Sequence, residues 1–250
     1  MNKDKKIIVS DIWYEYDWRF KNADAVFSVN TQYEEDYESL GDVLVIIECR
    51  SSRKVMTDGE YRRYENLRDK LLKKLDIVFV GLIESLSCVR FYFYANTGDI
   101  AIDIEKYIKH IANHVSCECK FDKEKTFYLN TLLPDAAKRY TEENRKQLKT
   151  FYDNGDNTEA VRKLNFHLLF PSEPLRILFE EQARLAGYAI GETEFIFEQD
   201  LPHSIVVHKM LSLVKSDVDD ATTQLVRIAE KYDGILGFWD CVLVPKRKNL

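Results

Sequence analysis

Lys163-Leu-Asn-Phe-His-Leu-Leu-Phe170 is the stretch that decides the fold of the C-terminal half of this 250-residue chain. Its apolar character predicts a strand that ends at Pro171, because proline interrupts strand pairing. A helix follows and is closed by Gly187, a residue type favoured just after helix ends. A hairpin, a second helix and the strand Phe238-Trp-Asp-Cys-Val-Leu-Val244 come next. The predicted order is therefore strand, helix, strand, strand, helix, strand.

This order of elements is typical of the ferredoxin-like βαββαβ sandwich. We therefore predict an α+β domain of that kind over residues 161–250. Such scaffolds bind more often than they react, and the order of elements by itself supplies no catalytic group.

The first half of the chain predicts a second α+β domain, residues 1–135, with a mainly antiparallel sheet and helices on one face. Helices are expected after Thr57-Asp-Gly59 and along the stripe formed by Ile104, Ile108, Ile111 and Val115. Asn22-Ala-Asp24 is the predicted turn of the first hairpin. The predicted strands are Trp13–Phe20, Ala25–Val29, Val43–Cys49, Ile77–Ile83, Cys88–Ala95, Cys117–Phe121 and Thr126–Leu132.

Between the two predicted domains lies a charged helical stretch, which we interpret as a linker over residues 136–160. It ends in Asp153-Asn-Gly-Asp-Asn157, the densest cluster of turn-forming residues in the chain. The chain is therefore expected to have two domains joined near this cluster.

Composition favours a soluble cytoplasmic protein. Apolar residues make up 45% of the chain and charged residues 31%, and no apolar run approaches the roughly 18 residues of a membrane helix. The N-terminus has only a short apolar patch, Ile7-Ile-Val9, so no secretory signal is expected. The five cysteines are odd in number, which favours reduced thiols. A net charge of −6 gives no basic face for nucleic acid.

Several segments of the C-terminal half together resemble the RraB-like family, whose members regulate ribonuclease E by inhibiting it. The matching segments are Leu164-Asn-Phe-His-Leu-Leu-Phe-Pro-Ser-Glu173, Ala186-Gly-Tyr188, Leu225-Val-Arg-Ile-Ala-Glu-Lys-Tyr232 and Trp239. The family usually enters its last strand through Tyr-Asp-Gly-Trp. Here that place is taken by Leu236-Gly-Phe-Trp239, and Tyr232-Asp-Gly234 lies earlier. The resemblance implies a protein-binding regulator, with ribonuclease E as one partner to test.

Residues 10–134 resemble a second bacterial family, the domain of unknown function 695, which is often joined to the RraB-like domain in this order. The resemblance rests on Trp13, on Asp58-Gly59 before a helix that contains Glu65, and on Val89-Arg-Phe-Tyr-Phe-Tyr94. It implies a fold and an arrangement of domains, but no activity.

His110, His114, Cys117 and Cys119 form the nearest approach to a metal motif. Zinc accepts imidazole and thiolate ligands, and the histidines are spaced one helical turn apart. Helical geometry, however, places both histidines about 100° from the apolar stripe, so that they flank the packed face. The alternative, which we favour, is that the cysteines are buried as small apolar residues and that no metal or other cofactor is bound.

Arg90 lies in an aromatic strand and allows two interpretations. Its guanidinium could bind an anion or a partner. Alternatively, strand alternation places it on the solvated face or pairs it with Glu48 or Glu84 of a neighbouring strand. The aromatic residues Phe91–Tyr94 are similar to the stacking residues of RNA-recognition sheets, but they lack the glycines of that motif and are expected in the core.

No catalytic motif is evident: the chain has no G-x-S-x-G, H-E-x-x-H or Walker sequence. His167, His203 and His208 have no nucleophile that the sequence identifies. We therefore interpret the protein as a non-enzymatic module that binds another protein. The alternatives are a hydrolase or transferase with an interdomain site, and an immunity protein for a toxin.

Exposed aromatic residues are frequent at partner surfaces, which makes Trp239, Phe238, Trp13 and Trp18 candidates beside Arg90. For each of these aromatic residues, packing in a core is the alternative that we favour. Strand alternation predicts that Phe238 and Asp240 point to the face opposite Trp239. The sequence thus leaves open whether Trp239 is a core residue or an interface residue.

Overall fold

The protein is described by a computed structural model in which residues 12–111, 114–197 and 199–246 are placed. The chain divides into two compact units, Met1–Asp135 and Ala136–Leu250. Each unit contains an antiparallel sheet and helices, so the predicted α+β class is confirmed. Within the described ranges, no helix is long and apolar enough to cross a membrane.

The first unit is built on a six-stranded sheet in the order β1-β2-β4-β5-β3-β6. Its strands are β1 Trp13–Phe20, β2 Ala23–Asn30, β3 Val43–Arg50, β4 Ile77–Ser85, β5 Cys88–Ala95 and β6 Val115–Phe121. Its helices are α1 Asp58–Lys74 and α2 Ile100–Ile108. The predicted bounds of β1 and β5 are confirmed: aromatic and polar residues alternate from Tyr14 to Phe20 in β1, whereas β5 is a continuous apolar and aromatic run interrupted only by Arg90.

Two apolar cores lie on opposite faces of this sheet. The first core is formed by apolar residues of α1 and α2, such as Leu71 and Ile104, packed on β3 and β5. The second core is formed by Tyr16, Tyr92 and Tyr128 with their neighbours. The helices predicted on one face of the sheet are therefore α1 and α2. The other face is also covered, by the residues of the second core.

The predicted strand Thr126–Leu132 is wrong: the segment ends in a π-helical turn, Tyr128–Leu132. The carboxylate of Asp122 accepts hydrogen bonds from the backbone N–H groups of Thr126 (2.8 Å) and Phe127 (3.1 Å), which starts a helical turn. The Tyr128 hydroxyl then donates to the Asn30 carbonyl at 2.6 Å. These contacts depend on side chains, and the one between Tyr128 and Asn30 joins residues far apart in sequence, so apolar alternation alone is misleading here.

Two further boundaries differ from the prediction. The first hairpin turns at Lys21 and Asn22, both with positive φ (51° and 66°), as a two-residue turn between twisted strands requires. Ala23 therefore already belongs to β2. Helix α2 ends at Ile108, and Val115 begins β6, although its side chain still packs in the first core.

The N-terminus of α1 is held by a capping box. The Thr57 hydroxyl accepts from the Glu60 N–H, and the Glu60 carboxylate accepts from the Thr57 N–H at 2.9 Å. Thr57→Ala is expected to lower the free energy of unfolding by about 1 kcal/mol, whereas Thr57→Ser keeps the cap. Urea denaturation measures both, and equal midpoints for the two variants would show that the box contributes nothing.

The second unit begins with α3 Ala136–Asp153 and continues as a βαββαβ unit. Its elements are β7 Arg162–Phe170, α4 Glu173–Leu185, β8 Ala189–Phe195, β9 His203–Leu211, α5 Lys215–Glu230 and β10 Ile235–Cys241. The four strands pair antiparallel in the order β10-β7-β9-β8, so β7 is central and β10 lies at an edge.

The two faces of this second sheet differ. Alternate residues of β7, including Phe166 and Phe170, are fully buried on the helix side, where Phe179 of α4 lies 4.8 Å from the Phe170 ring. We call the opposite side the open face. It is defined by half-buried or exposed residues: Asn165, His167, Leu169, Val206, His208, Phe238 and Asp240.

Helix α3, predicted as part of a linker over residues 136–160, packs within the second unit. Its Asn144 side chain is fully buried and donates to Asp219 (2.9 Å) and Thr222 (2.8 Å), both on α5. The charged composition of α3 did not reveal this packing, because only two of its six buried residues are apolar: they are Ala137, Lys138, Thr141, Glu142, Asn144 and Leu148. The division between the units falls at Asp135, before α3.

Candidate partner-binding site

Trp239 lies on the helix side of β10 and is only 3% exposed. Its indole N–H donates to the Asn144 side-chain oxygen at 2.8 Å, and its ring is nearly parallel to Phe151 at 5.9 Å. Of the two interpretations that the sequence left open, this geometry is that of a core residue. Trp239 therefore links α3 to the sheet, and its ring is not accessible to a partner.

Phe238 is the exposed aromatic of this region, as alternation predicted. It is 55% exposed and points to the open face, where its ring stacks on His167 at 4.1 Å with an interplanar angle of 12°. The register of β10 shifts between Leu236 and Phe238, so Gly237 forms a bulge just before the ring. The bulge and the stacked imidazole together fix the direction of Phe238.

His167 is part of a hydrogen-bonded network on the open face. Its Nε2 lies 2.7 Å from one oxygen of Asp240, and the other oxygen accepts from the Asn165 amide at 2.8 Å. A carboxylate that orients a histidine is also found in catalytic triads. Among the described residues, however, no Ser, Thr or Cys side chain is hydrogen-bonded to His167. The network therefore supports Phe238 rather than completing a triad.

His208 lies directly across from Asn165 on β9. Its Nδ1 atom is buried and has no hydrogen-bond partner among the described residues. Burial lowers the pKa of His208 below its ordinary value of 6.5, and the nearby charge of Lys163 lowers it further. His208 is therefore neutral over a wider pH range than an exposed histidine.

This lowered pKa predicts a pH dependence of stability. Since the unfolded chain binds the proton more readily, the contribution of neutral His208 is fully present above about pH 6.5 and is lost as the pH falls below it. The urea midpoint of the wild type should therefore fall further between about pH 7.5 and about pH 5.5 than that of His208→Gln. His203→Gln is the control, and an identical pH dependence in His208→Gln would contradict the prediction.

A groove of about 380 Å³ lies between α3 and the edge strand β10. We call it the α3–β10 groove. Its walls include Tyr140, Glu143, Lys146, Gln147, Phe238 and Trp239. The Gln147 amide donates to the Trp239 carbonyl at 2.8 Å, which satisfies an outward-facing backbone group of the edge strand.

The charges of the groove come from α3. Glu143 accepts a salt bridge from Lys146 at 2.9 Å, and both side chains are largely exposed. Burial, together with the negative charge of Glu143, raises the pKa of Tyr140 to about 12. The groove thus combines aromatic rings with a carboxylate that already holds a cation.

The other predicted partner residues lie in the first unit. Arg90 pairs with Glu48 at 2.6 Å, as one of its two interpretations expected, and its guanidinium lies 5.3 Å from the Phe20 ring centre. The ring centres of Trp13 and Phe79 lie 5.3 Å apart, and Trp18 packs against the second core. All three residues are less exposed to solvent than Phe238.

The His/Cys set does not converge. His110 and His114 are exposed, whereas Cys117 and Cys119 share one face and pack against the first core. Burial raises the pKa of Cys117 to about 12 and also raises that of Cys119, so both thiols stay protonated. In the part of the chain that the structure describes, no group of three or more His, Cys, Asp or Glu residues could hold a metal ion.

Sequence reasoning found Phe238 but missed its surroundings. Asn165 and Asp240 were not recognised as partners of His167, and neither Tyr140 nor Glu143 was considered. Period-two alternation could have placed Asn165, His167 and Asp240 on one face. No local signal could have brought α3 beside β10, since Asn144 and Trp239 lie 95 residues apart in sequence.

Comparison with known proteins gives a result for the second unit. No curated protein matches the chain. An unknown protein from Galdieria sulphuraria, known from a crystal structure, covers 81% of this chain and 98% of its own at 13% identity, but its TM-score of 0.22 is too low to indicate a shared fold. Residues 141–241 match the family described as "Regulator of ribonuclease activity B". The match begins within α3 and ends with β10, so it lies entirely in the second unit.

Proposed function

We propose that this protein is a non-enzymatic regulator that acts by binding another protein through its RraB domain. The observation that carries the proposal is the match of residues 141–241 to a family of ribonuclease regulators. The domain also exposes Phe238, whose ring stacks on His167, and His167 is itself hydrogen-bonded to Asp240. Exposed aromatic residues of this kind are frequent in protein interfaces. We place the partner surface around this ring.

The finer assignments belong to the same proposal. The strand order β10-β7-β9-β8, with α4 and α5 packed together, supports a ferredoxin-like classification of the second unit. We assign the first unit to the domain of unknown function 695 on its sequence resemblance alone. The pattern of five cysteines supports a reducing compartment, the cytoplasm.

Phe238→Ala should separate binding from stability. Because the ring is exposed, the free energy of unfolding should change by no more than about 0.5 kcal/mol. Capture of the partner from native lysate by the full chain, identified by mass spectrometry, should be lost. Leu185→Ala removes a more exposed apolar side chain of α4 and is the matched control. Equal capture by wild type and Phe238→Ala would remove the open face from the proposal.

Ribonuclease E is the partner that the family suggests first. If it is bound, a stoichiometric amount of the full chain should slow cleavage of an RNA substrate by ribonuclease E, and Phe238→Ala should restore the rate. An unchanged rate with the wild-type protein would exclude ribonuclease E and would leave the wider proposal to the capture experiment.

A further inference from the structure

Strand β8 forms the edge of the second sheet that lies opposite β10. In the part of the chain that the structure describes, it pairs with β9 alone. The Ile196 N–H donates to the Pro202 carbonyl at 2.7 Å, and residues of an antiparallel strand alternate between bonding their neighbour and facing away from it. Because Ile196 bonds inward, the register directs the backbone N–H and C=O groups of Thr193 and Phe195 away from β9. These groups are available to an added strand.

Both faces of β8 are open to solvent beyond its bulge. The register shifts between Ile190 and Thr193, and every residue from Gly191 to Phe195 is exposed. The Phe195 side chain is 48% exposed and that of Phe197 is 80% exposed, and the two rings meet edge to face at 4.9 Å. We call Thr193–Phe195 together with Phe197 the β8 edge.

The charged residues of this region are all acidic. Residues 186–202 contain Glu192, Glu194, Glu198 and Asp200 but no lysine or arginine. Glu192 and Glu194 are exposed, and neither forms a salt bridge with a described residue. Carboxylates on an edge strand discourage pairing with a second copy of the same strand, because like charges on adjacent strands repel. The same carboxylates attract a strand that carries lysine or arginine.

We propose that the β8 edge binds, as an added strand, an extended segment of another protein in which basic and apolar residues alternate. Glu194 and Phe195 point to opposite faces of the sheet, so the residue beside Glu194 is basic and the residue beside Phe195 is apolar. Main-chain bonds to Thr193 and Phe195 supply affinity, and the alternating side chains supply specificity. An acidic edge that served only to prevent association would not need two exposed aromatic rings.

This inference goes beyond the proposed function. Strands β7 and β9 lie between β8 and β10, so the β8 edge is separate from the surface around Phe238. The test needs only synthetic peptides, whatever the identity of the partner that the open face binds.

The full chain is mixed with a peptide that contains Lys-Val-Lys-Val-Lys between Gly-Ser sequences, and amide hydrogen exchange is followed by NMR. The peptide should slow exchange of the Thr193 and Phe195 N–H groups more than that of Glu194, whose N–H already faces β9. The control peptide has the same sequence with each valine nitrogen methylated, which keeps the charges but removes the N–H groups that would bond to β8. Equal effects of the two peptides, or no slowing by the first, would overturn the inference.

Reversal of one charge tests the specificity. Glu194→Lys should weaken binding of the lysine peptide by about tenfold, because an attraction across the strands becomes a repulsion. The same variant should bind Glu-Val-Glu-Val-Glu more tightly than the wild type does. Glu230→Lys, an exposed position at the end of α5, is the matched control. A loss in Glu230→Lys as large as that in Glu194→Lys would show general charge attraction only and would overturn the inference.

Two aromatic variants locate the bound peptide. Phe197→Ala removes an exposed ring of the β8 edge and should weaken binding by about fivefold, with an unchanged urea midpoint. Phe238→Ala, at the opposite edge of the sheet, should leave peptide binding unchanged. Equal losses in the two variants would place the peptide away from β8 and would overturn the inference, whereas the proposed function is judged by capture of the partner.

Discussion

Trp239→Ala is expected to lower the free energy of unfolding by about 3–5 kcal/mol, the range for truncating a large buried aromatic. The indole is 3% exposed and fills the space between β10 and α3, beside Phe151. Its removal leaves a cavity and also deprives the buried Asn144 side-chain oxygen of its donor. Urea unfolding followed by far-UV circular dichroism measures the change.

Trp239→Phe separates the two contributions. The phenyl ring keeps most of the packing but has no N–H for Asn144, so a smaller loss of about 1–3 kcal/mol is expected from the unsatisfied acceptor. A midpoint for Trp239→Ala equal to that of the wild type would show that the indole is not packed between α3 and the sheet.

Asp156→Ala is expected to destabilise the protein by about 3–5 kcal/mol, because it leaves a buried arginine without its counter-ion. Asp156 is 0% exposed, and one carboxylate oxygen accepts from Arg162 at 2.6 Å and from the Val244 N–H at 2.8 Å. Arg162 also donates to the Val242 carbonyl at 3.2 Å. The pair therefore holds the segment after β10 against the turn that precedes β7.

The double variant Asp156→Leu with Arg162→Met removes both charges and should recover much of the loss, since two apolar side chains need no partner. The exposed pair Lys149–Asp153, with a distance of 2.7 Å, provides the contrast. Asp153→Ala should cost less than about 1 kcal/mol. Equal losses in Asp153→Ala and Asp156→Ala would mean that burial of the pair has no effect on its energy.

The sequence predicts secondary structure best in segments whose apolar residues follow a regular spacing. Alternating residues in β1 and the aromatic run of β5 predict the bounds of these strands, and alternation around Trp239 predicts that Phe238 points the other way. The order of elements in the second unit follows from the same patterns and from the breakers Pro171 and Gly187. Such features depend on neighbours a few residues apart, which the sequence shows directly.

Side-chain contacts, local as well as long-range, decided the remainder. The Asp122 side chain turned a predicted strand into a helical turn by taking the N–H groups of Thr126 and Phe127. Buried side chains of α3, among them Asn144, placed a charged helix in the second unit, against α5 and Trp239. By itself, the sequence determined most of the elements and the opposite faces of β10 on which Phe238 and Trp239 lie. The turn at Asp122 and the α3–β10 groove were decided by side-chain hydrogen bonds, for which residue periodicity carries no signal.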